Sequence, residues 1–239
     1  MAIQNRFIQI TQDEKRDYQY EEAMKTLRTN IQFSGNGLKV IMLTSTMPDE
    51  GKSEISSQLA ISMAQTEERV LFIDADIRKS VLVSRFKVGQ QIYGLTQYLT
   101  GQRLLREVLY HTNLPNLDII FSGPMAPNPA ELLGEDAFSK LIAWARNEYD
   151  TIIIDTPPLG NVIDGAIIAQ RCDGAILLVE SGALSYRLVQ KAKSQLERTG
   201  CRILGAVLNR VDMAGSGYYH RYYGKYSKYT KYYENEPAK

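Results

Sequence analysis

Two unbroken apolar runs, Ile152-Ile153-Ile154 and Ile176-Leu177-Leu178-Val179, constrain the fold more than any other feature of this chain. A strand with one wet face alternates apolar and polar residues; a strand covered on both faces does not, so these runs read as central strands. Apolar runs bounded by turn signals recur along the sequence with helix-like stretches between them, which points to an α/β fold with a mostly parallel sheet flanked by helices. Strands are expected over residues 38–44, 70–74, 117–121, 151–155, 175–179 and 203–208, and helices over 18–33, 53–65, 131–148, 162–170 and 185–198. Gly200 follows the last helix in the place of a C-terminal cap. Residues 35–37, Gly-Asn-Gly, read as a turn that leaves the first helix appended to the sheet. With 239 residues, 44% of them apolar, the chain can bury a sizeable core, and its length suits one domain with extensions. The expected division is an N-terminal extension (1–36), a core (37–213) and a flexible tail (214–239).

Directly after the first expected strand comes Ser45-Thr46-Met47-Pro48-Asp49-Glu50-Gly51-Lys52-Ser53, and then a helix. Strand, loop and helix in this order are what a phosphate-binding P-loop requires. Gly51 lets backbone N–H groups approach phosphates, and the helix start contributes partial positive charge. Lys52 then reaches the β- and γ-phosphates, and the Ser53 hydroxyl ligates Mg²⁺. The expected ligands are ATP and Mg²⁺, with Met47, Pro48, Asp49, Glu50, Gly51, Lys52, Ser53 and Glu54 lining the nucleotide site. Thr46 stands where the pattern G-x-x-x-x-G-K-[ST] has its first glycine. A chance Gly-Lys-Ser at a helix start is the bland reading, and the flanking strand and the acidic motifs below weigh against it.

One strand ends in Asp74-Ala75-Asp76-Ile77-Arg78, another in Asp155-Thr156-Pro157-Pro158. Carboxyl ends of strands in an open parallel sheet face the ligand crevice, so the three carboxylates are expected to converge near the P-loop. There they suit two tasks, holding Mg²⁺ through oxygen and taking a proton from an attacking hydroxyl. Asp74 is read as the general base, Asp76 and Asp155 as metal ligands with Ser53, and Arg78 as a cation for a carboxylate or a phosphate oxygen. Aspartates that merely cap turns are the alternative.

From Ala214 onward the sequence contains no Val, Ile, Leu, Met or Phe, so the segment lacks the aliphatic surface needed to join a core. It holds Tyr218, Tyr219, Tyr222, Tyr223, Tyr226, Tyr229, Tyr232 and Tyr233, eight of the chain's 15 tyrosines, interleaved with Arg221, Lys225, Lys228 and Lys231. Beside a phosphoryl donor, exposed phenols are candidate acceptors, and each phosphate adds about −1.5 to −2 charges to a basic tail. Contact with single-stranded nucleic acid or an anionic surface suits the same residue types. The formal charge of +1 gives no chain-wide reason to expect a nucleic-acid partner. Cys172 and Cys201, the only cysteines, have no neighbouring Cys or His at metal-ligand spacing, which fits a reducing cytoplasm. No stretch approaches the roughly 18 apolar residues of a membrane span.

Taken together, the P-loop, the Asp74-Ala75-Asp76-Ile77-Arg78 motif, the Ile153-Ile154-Asp155-Thr156-Pro157-Pro158 strand end and the tyrosine cluster resemble, in order and over nearly the whole chain, the bacterial tyrosine kinase family. Within it the resemblance is to the free-standing kinases of capsule and exopolysaccharide assembly in Gram-positive bacteria. Residues 21–30 are similar to the family's E-x-x-R-x-x-R oligomerisation motif, with Glu22 and Arg28 matching and Lys25 in place of the first arginine. An ordinary solvated helix face is the other reading of these residues. Residues 122–133 look like a family loop near the active site, and Asn209 resembles the residue that hydrogen-bonds adenine in related ATPases, or is a strand-end Asn in a turn. The resemblance implies phosphorylation of tails on neighbouring subunits of a homo-oligomeric ring, of which an octamer is one form. It also implies a transmembrane activator or chain-length-determinant partner that recruits the kinase to the inner face of the membrane, a cognate tyrosine phosphatase, and control of polysaccharide polymerisation and export. A partition-type or division-site regulatory ATPase shares the sheet, but it carries a signature lysine where this chain has Met47. A nucleotide-gated scaffold, in which ATP controls only assembly, is the remaining alternative.

Overall fold

The computed structural model describes residues 6–11 and 18–211, so the tail with its eight tyrosines lies outside the described residues. An eight-stranded sheet is built from β1 (Phe7–Ile8), β2 (Val40–Ser45), β3 (Val70–Asp74), β4 (Leu109–Thr112), β5 (Leu117–Ile120), β6 (Thr151–Asp155), β7 (Gly174–Glu180) and β8 (Ile203–Asn209). The strand order is β1-β4-β5-β3-β6-β2-β7-β8. Every neighbouring pair is parallel except β4 with β5, which forms an antiparallel pair.

Both faces of the sheet are dry over its central strands β2, β3 and β6. Val40, Met42, Leu71, Ile73, Ile152, Ile154, Ala175 and Leu177 point into one core, while Ile41, Leu43, Val70, Phe72, Ile153, Ile176 and Leu178 point into the other. Successive side chains of a strand alternate between faces, so two covered faces demand the continuous apolar runs that the sequence carries. Helices α4 (Leu95–Leu99), α6 (Pro129–Gly134), α7 (Asp136–Glu148), α8 (Asp164–Ala169) and α9 (Tyr186–Glu197) supply residues to the first core. Helices α1 (Tyr18–Phe33), α2 (Lys52–Ala64) and α3 (Leu82–Arg85) supply residues to the second. The short α5 (Leu105–Val108) leads into β4.

The six expected strands are present within one or two residues. The expected helix over 131–148 is two helices instead, broken at Glu135, whose ψ of 165° is extended. Strands β1 and β4, and helices α3, α4 and α5, were not read from the sequence. The appended helix α1 lies outside the sheet against α2, burying Met24 and Ile31. Gly200 takes a left-handed φ of +78° just after α9. Among the described residues, no helix is long and apolar enough to cross a membrane.

Candidate active site

The expected site residues meet at the carboxyl ends of the adjacent strands β2, β3 and β6. Parallel pairing sets Asp74 directly opposite Asp155 in register, so two carboxylates stand side by side at the carboxyl end of the central strands. Both are fully buried. Lys52, the first residue of α2, reaches them from the loop: its Nζ donates to Asp155 Oδ1 at 2.8 Å and contacts Ser53 Oγ at 3.3 Å. Only 8% of the Lys52 side chain and 1% of the Asp155 side chain are exposed, so the pair is held together in a site of low dielectric.

Asp74 sits in a more demanding environment. Burial, then the neighbouring Asp155 charge, push its carboxyl up to about 7 against the pull of Ser80 and Lys52. Ser80 Oγ donates to Asp74 Oδ2, as does the Ser122 N–H at 3.3 Å, and the Asp76 N–H donates to Oδ1 at 3.3 Å. Asp76 is half-buried, with Oδ1 accepting from the N–H groups of Arg78 (3.3 Å) and Lys79 (3.0 Å). Of the three carboxylates expected to converge, Asp74 and Asp155 lie together with Lys52, while Asp76 Oδ1 is bonded to N–H groups of its own loop.

Arg78 is committed elsewhere. Its guanidinium makes a two-bonded fork to the fully buried carboxylate of Asp164, Nε to Oδ2 at 2.7 Å and Nη2 to Oδ1 at 2.9 Å. This ties the loop after β3 to the start of α8. Asp164 and Ser80 are the site residues that sequence reading missed. Asp164 opens a helix, where an aspartate looks like ordinary charge at a helix start, and Ser80 belongs to no motif.

The loop itself is pinned on several sides. Asp49 (φ +64°) and Gly51 (φ +87°) adopt left-handed backbone, the arrangement that turns successive N–H groups toward an anion. The Leu159 and Gly160 N–H groups donate to Ser45 O and Thr46 O, each at 2.9 Å. A Cβ on Gly160 would lie 2.2 Å from Thr46 O, so the chain after Pro157-Pro158 approaches the loop as only glycine allows. Pro48 and Asp49 are exposed, and Glu54 pairs with Arg85 at 3.1 Å. Glu50 is buried, its carboxylate accepting from the N–H groups of Met47 (2.6 Å) and Glu180 (2.9 Å). The Asn209 side chain donates to Glu50 O at 2.8 Å.

The donor set suits a magnesium ion shared with phosphates. Asp155 Oδ2 is buried and lacks a hydrogen-bond partner, and Ser53 Oγ lies beside Lys52. Among the described residues no three His, Cys, Asp or Glu side chains are gathered as a metal cluster. Mg²⁺ takes one or two carboxylates and completes its shell with water and substrate phosphate.

Away from the crevice, Glu22 and Lys25 form an exposed pair at 2.6 Å, whereas Arg28 donates through Nη1 to Ser62 O (2.5 Å) and Oγ (3.1 Å) on α2. Arg28 is thereby tied to α2 of its own chain.

A family model described as an AAA domain matches residues 38–198. Tyrosine-protein kinase CpsD of Streptococcus agalactiae serotype III (strain NEM316) is 46% identical over 198 residues, covering 83% of this chain and 85% of that protein. The solved kinase domain of Escherichia coli tyrosine kinase ETK superposes with a TM-score of 0.76 at 32% identity, covering 88% of this chain and 94% of that one. The chimerical protein CapA2B2 superposes with a TM-score of 0.79 at 31% identity, covering 85% and 93%. Similarity of this depth over nearly the full length of both chains, on the sheet that carries the Lys52–Asp155–Asp74 site, makes the chain a member of the bacterial tyrosine-protein kinase family.

Proposed function

We propose that this kinase transfers the γ-phosphoryl group of Mg-ATP to tail tyrosines of a neighbouring copy, with Tyr218, Tyr219, Tyr222, Tyr223, Tyr226, Tyr229, Tyr232 and Tyr233 as the acceptors. The observation that carries the reading is the buried Lys52–Asp155 pair with Asp74 in register beside Asp155; burial raises the Asp74 carboxyl to about 7. A base poised near neutral pH takes a phenol proton efficiently.

In the step itself, the phenol oxygen bonds to the γ-phosphorus, the bond to the β–γ bridging oxygen breaks, and ADP leaves with that electron pair. Asp74 receives the phenol proton. Lys52 turns part of its charge from Asp155 to the phosphates, and the loop N–H groups around Gly51 cradle them. Ser53, Asp76 and Asp155 would hold Mg²⁺, which would supply neutralisation of the charge building on the transferred group. The Arg78–Asp164 fork steadies the loop that bears Asp76. Pro48, Asp49 and Glu54 line the nucleotide site, and Asn209 stands at its edge.

Residues 1–36 then form the oligomerisation extension, with Glu22, Lys25 and Arg28 as its interface residues. Residues 37–213 form the kinase core and 214–239 the acceptor tail. The partner set that goes with this reading is a transmembrane activator that recruits the kinase to the inner membrane face, a tyrosine phosphatase, and a homo-oligomeric ring that tunes capsule or exopolysaccharide polymerisation.

The test incubates full-length protein with Mg²⁺, γ-labelled ATP and an activator's cytoplasmic segment, beside Lys52→Met and a variant with the eight tail tyrosines changed to phenylalanine. Label on tail tyrosine that both variants abolish is the expected result. Free phosphate alone would instead indicate a regulatory ATPase.

A further inference from the structure

Asn209 ends β8, yet its side chain is engaged with the phosphate-binding loop. Nδ2 donates to the Glu50 carbonyl at 2.8 Å, and a Cβ on Gly51 would lie 2.3 Å from that same nitrogen. The amide therefore fills the space that a side chain on Gly51 would need. On its other side Glu50 is held by β7, its buried carboxylate accepting the Glu180 N–H at 2.9 Å and reaching back to the Met47 N–H at 2.6 Å. The ends of β7 and β8 are themselves joined, Ser181 N–H to Asn209 O at 2.9 Å and Arg210 to Glu180 at 3.0 Å.

Glu50 C=O and Gly51 N–H belong to one planar trans peptide and point in opposite directions. Fixing the carbonyl on Asn209 therefore fixes the N–H facing away from it. A peptide flipped the other way would present a carbonyl oxygen to an incoming phosphate and repel it. We propose that Asn209 is a positioning residue for the phosphate-binding loop, holding the Glu50–Gly51 peptide in the orientation that offers its N–H to phosphate. This rests on the nucleotide-site reading and extends it. A residue that reads adenine matters only when adenine is present, whereas a brace of the loop matters for phosphates on any base or on none.

Titration calorimetry of the full-length chain and of Asn209→Ala with ATP, GTP and tripolyphosphate, each with Mg²⁺, separates the two roles. The brace predicts a loss of about five- to ten-fold, similar for all three ligands, as expected for one lost hydrogen bond. Asn209→Asp, equal in size but unable to donate, is expected to lose at least as much, and it carries the test if the alanine variant melts early without ligand. A loss confined to ATP, or no loss with any ligand, overturns the brace while leaving the nucleotide site standing. Wild type that binds ATP but not tripolyphosphate also overturns it, because the loop would then not hold phosphates by itself. Wild type that binds none of the three sinks the nucleotide reading and the brace with it.

Discussion

Lys52 and Asp155 meet with almost no water around either, and such a pair is costly to break from one side. Lys52→Met leaves a buried carboxylate next to Asp74 with its cation gone, so the nucleotide-free protein is expected to lose about 3 kcal/mol in urea denaturation. Lys52→Met combined with Asp155→Asn removes both charges and is expected to recover most of that loss; a double variant as unstable as the single one would show that the pair is not coupled. Lys52, Asp155 and Asp74 were legible in the sequence because each ends or begins an element whose order fixes its place at the crevice. Ser80 and Asp164 were not. Asp164 owes its role to a contact across 86 positions that exists only once the sheet has brought the loop after β3 and the start of α8 together, and Ser80 to a local turn back to Asp74 that no motif marks.

At the scale of elements, the fork between Arg78 and Asp164 fastens the loop after β3 to α8, and its two halves are unequal. Asp164 is fully buried, while over a third of the Arg78 side chain stays exposed. Arg78→Ala therefore strands a buried charge and is expected to cost about 3 kcal/mol. Asp164→Ala frees a guanidinium that water can reach and is expected to cost about 1 kcal/mol. Urea unfolding of the two variants checks the order; a reversed order would mean that Asp164 is held mainly by groups other than Arg78. The same scale shows where sequence reading falls short. The central strands announce themselves because burial on both faces forces apolar runs, whereas β4, reading Leu-Tyr-His-Thr, and the two-residue β1 lie toward the sheet's edge and need no such run. The break between α6 and α7 had only Gly134 to mark it, inside an otherwise continuous helical stretch.

For the whole molecule, the sheet gathers the loop, both acidic strand ends and the end of β8 at its carboxyl end, and the tyrosine-rich segment follows β8 in the sequence. The described residues thus hold the phosphate-binding loop and the Lys52–Asp155–Asp74 cluster of the proposed site, and the proposed acceptors follow them in the sequence. The central claim is that this site phosphorylates tail tyrosines of another copy. Its most direct measurement mixes two full-length chains with Mg²⁺ and γ-labelled ATP in the presence of the activator segment. One is Lys52→Met with its tail intact, which can only accept; the other carries phenylalanine at the eight tail tyrosines, which can only donate. Label on tyrosines 218–233 of the Lys52→Met chain is the predicted result, and an unlabelled Lys52→Met chain beside an ATP-consuming donor would contradict it.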